Sequence, residues 1–212
     1  MKRKILWLVL AAMLVAMAGC GGGNDRPLID TTIDSYETAD GDILKQGSTF
    51  TITMPGGGAG ATLLAGVAPD LSGDEYRAFL DFPLTSGVRN GVIQSATLNV
   101  VVRNLSTSPA GSSLPLLVEL VSYVPPLIAG DFDSAILAIP SRAQTVRTIT
   151  PAQVNDPGGV DIDVTALLIE AQNQRLSHFQ IRLLEDFVNS PLGIVTIDDS
   201  NATPPQLRVL YF

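Results

Sequence analysis

Histidine, cysteine and tryptophan each occur once in these 212 residues. That scarcity narrows the chemistry before any motif is read. A nucleophilic site of the Ser/His/Asp or Cys/His kind would rest wholly on His178, and a zinc site has no cluster of imidazoles and thiolates to build on. Alternation around His178 sets it with Gln180 and Arg182 on the polar face of a strand, so it reads as a solvated residue. A hydrolytic role would require it to be buried beside a carboxylate. Basic residues are also few, 13 against 21 acidic, for a net charge of −8. Three of those 13 are Lys2, Arg3 and Lys4; without them ten remain, and the net charge falls to −11. So acidic a surface argues against nucleic acid and against adhesion to anionic headgroups.

Long apolar runs are absent except at the front. Lys-Arg-Lys is followed by "ILWLVLAAMLVAMAG", uncharged from Ile5 to Gly19, and then by Cys20. A basic start, about 15 apolar residues and a small-residue end make a secretory signal, and the run falls short of the roughly 20 residues of a spanning helix. Ala18-Gly19-Cys20 resembles a bacterial lipobox, with Met17 where leucine is usual. The resemblance implies cleavage before Cys20 and acylation of its thiol, which holds the chain to a membrane. Residues 1–19 are thus read as signal peptide, 20–27 as lipidated cysteine and glycine-rich tether, and 28–212 as one domain. Gly21, rather than aspartate, after the cysteine implies the outer membrane in a Gram-negative cell envelope. The only tryptophan, Trp7, lies in the signal, and with Cys20 acylated the domain has no disulfide.

Beyond Pro27 the chain reads as strand after strand. "TFTITM" (Thr49 to Met54), "YRAFLDF" (Tyr76 to Phe82), "SATLNVVVR" (Ser95 to Arg103), "SHFQIRLL" (Ser177 to Leu184) and "QLRVLY" (Gln206 to Tyr211) alternate apolar with polar residues, the period of a half-buried antiparallel strand. Further strands are expected at Thr32 to Glu37, Thr62 to Gly66, Leu116 to Tyr123, Thr145 to Thr150, Val160 to Val164 and Gly193 to Ile197. "ALLIEAQNQ" after Thr165 predicts a short helix across one end, and a second helical turn is expected near Asp133 to Ala138. "PGGGAGA" (Pro55 to Ala61) predicts a mobile hairpin loop; it lacks the Gly-Lys-Ser/Thr ending of a phosphate-binding loop. The fold class is all-β: an antiparallel jelly-roll sandwich of about ten strands with one short helix.

Four stretches, "RAFLDF" (Arg77 to Phe82), "IQSATLNV" (Ile93 to Val100), "VDIDVTALL" (Val160 to Leu168) and "PPQLRVLY" (Pro204 to Tyr211), resemble in kind and order the DNRLRE-type domains of secreted proteins, relatives of carbohydrate-binding modules. "DDSN" before the last strand sits where that family has a serine-containing turn. The resemblance implies a jelly-roll module that binds glycans or serves as an extracellular structural unit. Family members often carry tryptophan where this chain has "VSYVPPLIAGDFDS"; Tyr123 is the only nearby aromatic that can stand in. Fold alone does not establish a ligand.

Glycan platforms use exposed aromatic rings. Alternation assigns Tyr76 and Tyr211 to the core, leaving Tyr36 and Tyr123 as ligand-binding candidates. Acidic pairs recur at Asp40/Asp42, Asp70/Asp74, Asp131/Asp133, Asp161/Asp163 and Asp198/Asp199. Calcium takes six to eight oxygens from carboxylates and loop carbonyls, and Asp40, Asp42, Asp131 and Asp133 are the candidate ligands of a structural calcium ion, although aspartate also favours turns and caps. The expectation is a non-enzymatic, lipid-anchored envelope protein displaying a glycan-binding or matrix-interacting module. The alternative is a structural or assembly protein whose partner is another envelope protein; exposed Val101, Leu210 and Phe212 would favour it.

Overall fold

A computed structural model describes residues 27–137, 143–186 and 191–212; the signal and Cys20 lie outside them. No helix among the described residues is long and apolar enough to cross a membrane. The chain is an antiparallel β-sandwich of two sheets. Its strands are β1 (Ile29–Asp34), β2 (Gly41–Gln46), β3 (Thr49–Thr53), β4 (Thr62–Val67), β5 (Glu75–Pro83), β6 (Ile93–Val100), β7 (Val102–Ser108), β8 (Leu114–Val121), β9 (Gln144–Ile149), β10 (Val160–Asp163), β11 (His178–Glu185), β12 (Leu192–Asp198) and β13 (Gln206–Tyr211). The smaller sheet runs β1-β13-β6-β10 and the larger β7-β12-β4-β5-β11-β8-β9, with the β2–β3 hairpin joined to β5.

The inward residues of both sheets meet in one core. Ile33, Leu98, Ile162, Leu207 and Val209 come from the smaller sheet, and Leu63, Leu80, Phe82, Phe179, Ile181 and Val195 from the larger. Alternation of period two supplies this face directly. The helix after Thr165 forms as expected, as Thr165–Asn173. Asp163 accepts from the Thr165 N–H and hydroxyl (2.9 and 2.6 Å) at its start, and Leu167, Leu168 and Ala171 are buried.

Three expectations are corrected. The stretch read as one strand from Ser95 to Arg103 is two. It turns at Val101, so that Val100 pairs with Val160 in one sheet while Val102 pairs with Ile197 in the other, which makes a corner of the sandwich. The loop at Pro55 to Ala61 closes no hairpin, because β3 pairs with β2 while β4 pairs with β5 and β12. The helical turn near Asp133 is a 3-10 turn at Ala129–Asp133, ending where it was expected to begin; Ala138 lies outside the described residues. A second short helix, Ser86–Asn90, was unread; its start is capped by the Thr85 hydroxyl, 3.3 Å from the Val88 N–H.

The outer face of the larger sheet is not left to solvent. Ile43, Phe79, Val121, Tyr123, Leu127 and Phe132 form a second core beneath the segment from Tyr123 to Asp133. Two arginines hold that segment down. Arg182, paired with Glu119 and buried with it, donates through Nη1 to the carbonyls of Phe132 (2.7 Å) and Ser134 (3.0 Å). Arg77 donates to the same Phe132 carbonyl (2.6 Å), and its guanidinium sits 3.9 Å from the centre of the Phe132 ring. Arg182→Met would leave the buried Glu119 carboxylate without its cation and the Ser134 carbonyl without its donor, while Arg77 still serves Phe132. Urea denaturation should therefore show a loss of about 3–5 kcal/mol; an unchanged midpoint would contradict this role.

Candidate functional site: a buried acidic seam between two clefts

Five acidic side chains from three parts of the chain form a polar seam along one edge of the fold. Its first part is the turn after β1. Ser35 N–H donates to the Pro205 carbonyl (2.9 Å), Tyr36 N–H to the Asp81 carbonyl (2.8 Å), and Asp40 N–H back to the Tyr36 carbonyl (3.1 Å). The turn is therefore stitched both to β5 and to the segment entering β13. The second part is β5, where Asp81 lies on the face opposite Leu80 and Phe82. The third is the turn after β12, held by three backbone bonds: Asp198 N–H to Val101 O (2.8 Å), Asp199 N–H to Ala61 O (3.0 Å) and Asn201 N–H to Gly57 O (2.9 Å).

Along the seam the groups run in order. Nδ1 of His178 lies 2.9 and 3.0 Å from the two oxygens of Asp81. The Asp81 N–H donates to Asp40 Oδ1 (2.8 Å). The Asp40 and Asp199 carboxyl groups face each other within reach of a hydrogen bond whenever one carries a proton. Asp198 closes the far end, paired with Arg103 and accepting from Thr203 and from the Ser200 N–H (3.0 Å). Asp40, Asp81, Asp198 and Asp199 are all buried, at no more than 1% exposed.

Arg103 and His178 thus serve the ends of the seam, while no cation among the described residues lies within 4 Å of Glu37, Asp40 or Asp199. The titration of these groups reflects that imbalance. Burial, countered by bonds from Ser35 and the Asp81 amide, raises Asp40 to about 7. Burial and the neighbouring charges of Asp40, Asp198 and Glu37 raise Asp199 to about 8. Burial also raises Asp81, against the pull of His178. At Asp198 burial works upward, but the bonds from Thr203, Ser200 and Arg103 outweigh it and hold the carboxyl low. Asp40 and Asp199 therefore form an interacting pair that holds protons more tightly than free aspartates do.

The seam opens to solvent through two clefts. One, about 270 Å³, is lined by Asp34, Ser35, Tyr36, Glu37, Asp199, Asn201 and Pro204. Its floor depends on Gly57, at φ +68°. A Cβ there would lie 1.8 Å from Glu37 Oε2 and 2.5 Å from Asn201 Oδ1, so only glycine lets those two oxygens close over the loop. The other cleft, about 210 Å³, lies beside His178, Gln180, Tyr123, Ser122 and Ser177.

The sequence candidates separate on this map. Tyr36 is 51% exposed on the rim of the first cleft. Tyr123 is corrected from ligand-binding to core: it is 6% exposed, meets Phe79 edge-on at 5.6 Å, and donates its hydroxyl to the Ala39 carbonyl (3.4 Å). Asp40 belongs to the seam. Asp42 instead accepts from the Leu64 N–H (3.1 Å), and burial raises its carboxyl to about 6. Asp131 accepts from the Ile128 N–H (2.8 Å) and Asp133 pairs with Arg77 (3.3 Å), so both serve the covering segment. No three acidic, histidine or cysteine side chains among the described residues converge closely enough to hold a metal by themselves. His178 is corrected from a purely solvated residue: it sits against a buried carboxylate, with its side chain 44% exposed. Among the described residues no hydroxyl is hydrogen-bonded to its ring. Glu37 and Asn201 were not singled out by the sequence.

No family model matches the chain, and no curated protein matches it.

The raised carboxyls set the sign of a pH dependence. Asp40 and Asp199 bind protons more tightly folded than unfolded, so their contribution is fully present below about pH 4 and lost as pH rises through 7 and 8. The melting temperature should fall by roughly 10 °C between pH 5 and 9, and Asp199→Asn should flatten that slope. An equal slope in the variant would contradict the interacting pair.

Proposed function

We propose that this chain is a non-enzymatic cell-envelope lipoprotein, anchored through Cys20, whose sandwich binds neutral glycans at the Tyr36 cleft. The observation that carries the reading is the exposed Tyr36 ring on the rim of a cleft lined by Asp34, Ser35, Glu37, Asp199 and Asn201. An aromatic face next to carboxylate and amide acceptors suits a sugar, with its apolar ring face and outward hydroxyls. The chain's negative charge disfavours acidic polysaccharides. Kinship with DNRLRE-type domains, drawn from the four sequence stretches, and placement in the outer membrane, drawn from Gly21, belong to the same proposal.

A second reading, a structural or assembly role, has one observation in its favour. Phe212 exchanges backbone bonds with Val92 (3.1 Å each way) and follows Tyr211, which pairs with Ile29. Exposed Leu28, Ile29, Val92 and Phe212 therefore gather at one end of the smaller sheet, a surface suited to another envelope protein. Val101 and Leu210, named from the sequence, are half-buried.

Affinity electrophoresis against neutral and acidic polysaccharides tests the first reading. Retention by a neutral class is expected, weakened about tenfold or more by Tyr36→Ala. No retention by any polysaccharide of protein shown to be folded would overturn it and favour a protein partner.

A further inference from the structure

Basic residues are few, and four of the described arginines are ion-paired: Arg77, Arg103, Arg182 and Arg208. Arg89 and Arg175 are not; no carboxylate of the described residues lies within 4 Å of either. Yet both line one cleft of about 410 Å³, together with Asn90, Gln172 and Leu176. Arg89 and Asn90 end the helix Ser86–Asn90, and Arg175 follows the helix Thr165–Asn173. Gln172 locks the two segments together, donating through Nε2 to the Val88 carbonyl and to that of Gly91 (3.1 Å). Arg175 stands at φ +59°, the left-handed conformation that favours glycine after a helix. Two exposed guanidinium groups without a counter-ion, in a chain of net charge −8, suit the cleft to a phosphate group.

The cleft adjoins the exposed apolar end of the smaller sheet. Gly91, held by Gln172, leads directly into Val92, which exchanges backbone bonds with Phe212. Leu28 and Ile29 lie beside them, since Ile29 pairs with Tyr211. Ile169, one helical turn before Gln172, is exposed as well. Asp30, next to Ile29, is neutralised by Arg208 (3.0 Å). Leu28 follows Cys20 by eight residues, a span of at most about 28 Å. A chain anchored through Cys20 therefore keeps this end close to the lipid surface.

We propose that this end of the sandwich docks on the membrane, with Leu28, Ile29, Val92 and Phe212 entering the headgroup layer and Arg89 and Arg175 binding lipid phosphate. The proposal rests on the anchoring reading of Cys20. Apolar side chains settle at the boundary between headgroups and acyl chains, and the planar guanidinium fork matches phosphate oxygens. The chain's negative charge sets the lipid class, because a zwitterionic headgroup presents its phosphate without adding net repulsion. A protein partner would compete for the same apolar residues; the short span to Cys20 and the unpaired arginines favour lipid. Docking also orients the domain. The Tyr36 cleft lies at the other end of β1, about 17 Å along the strand from Ile29 to Asp34, so a sugar reaches it while the docking end is covered.

The test reconstitutes the full lipidated protein in phosphatidylethanolamine–phosphatidylcholine vesicles, with brominated acyl chains as the quencher. Removal of the signal takes Trp7 with it, so Phe212→Trp gives the mature protein a single tryptophan at the docking end. Its fluorescence should be quenched by the brominated chains, and that of Tyr36→Trp should not. Adding Arg89→Gln and Arg175→Gly to Phe212→Trp should lower the ratio of docked to undocked protein about tenfold or more. Glycine suits the backbone at Arg175, so the melting temperature should hold while docking is lost. Protein that floats with the vesicles but shows equal quenching in the Phe212 and Tyr36 variants would overturn the docking, leave the anchor standing and give the apolar end to a protein partner. Inorganic phosphate that raises the melting temperature as much as vesicles do would mark a free-anion site and overturn the lipid assignment. Protein that does not float, with Cys20 unmodified by mass spectrometry, would overturn the anchor and the docking with it.

Discussion

The feature on which most of this structure leans is a concentration of buried carboxyl groups along one edge of the sandwich. Asp40, Asp81, Asp198 and Asp199 are all buried, and only the outer two have a basic side chain as partner, His178 on Asp81 and Arg103 on Asp198. Isolated ions in a protein interior are expensive, and the raised carboxyls of Asp40 and Asp199 relieve that cost by binding protons. The surrounding backbone is heavily cross-stitched. The turns at Ser35–Asp40 and Asp198–Asn201 are held by main-chain bonds to β5, to the glycine loop, to the β6–β7 corner and to the entry of β13. Those bonds keep like charges together that would otherwise part.

The opposite case lies under the covering segment, where polar groups are buried in complementary pairs. Glu119 meets Arg182, and Arg182 and Arg77 together satisfy carbonyls at Phe132 and Ser134. That face is closed and needs nothing from outside. One sheet thus carries a satisfied polar network and an unsatisfied one, and it is the unsatisfied one that opens into a cleft rimmed by Tyr36. Buried polar atoms without partners point to a site more directly than cleft shape does.

The β-sandwich was legible because its signal is local. Leu80 and Phe82, Leu98 and Val100, Ile181 and Leu183, and Leu207 and Val209 each announce a core face through alternation alone. β2 went unread because Asp40, Gly41, Asp42 and Ile43 are all buried, which leaves no polar face to alternate against. The corner at Val101 was hidden for the converse reason: the alternation continues unbroken through a bend that carries the chain from one sheet to the other. Tyr123 looked like a surface candidate until the chain after it folded back over the sheet.

The site was only half visible. Asp40 drew notice as one of a local pair, yet its partner is Asp199, brought near by the β1–β13 pairing rather than by sequence spacing. Glu37 carries no motif, Asn201 ends a "DDSN" turn noted only for its serine, and "PGGGAGA" read as a loop without showing that Gly57 makes room for both. The account rests on the claim that Asp40 and Asp199 form one interacting pair. Carbon-13 detection of the side-chain carboxyls, titrated against pH, tests it most directly. Midpoints for both well above the ordinary aspartate range, near 7 and 8, with each resonance sensing the other's titration, are the expected result. Independent midpoints near 4 would contradict the seam.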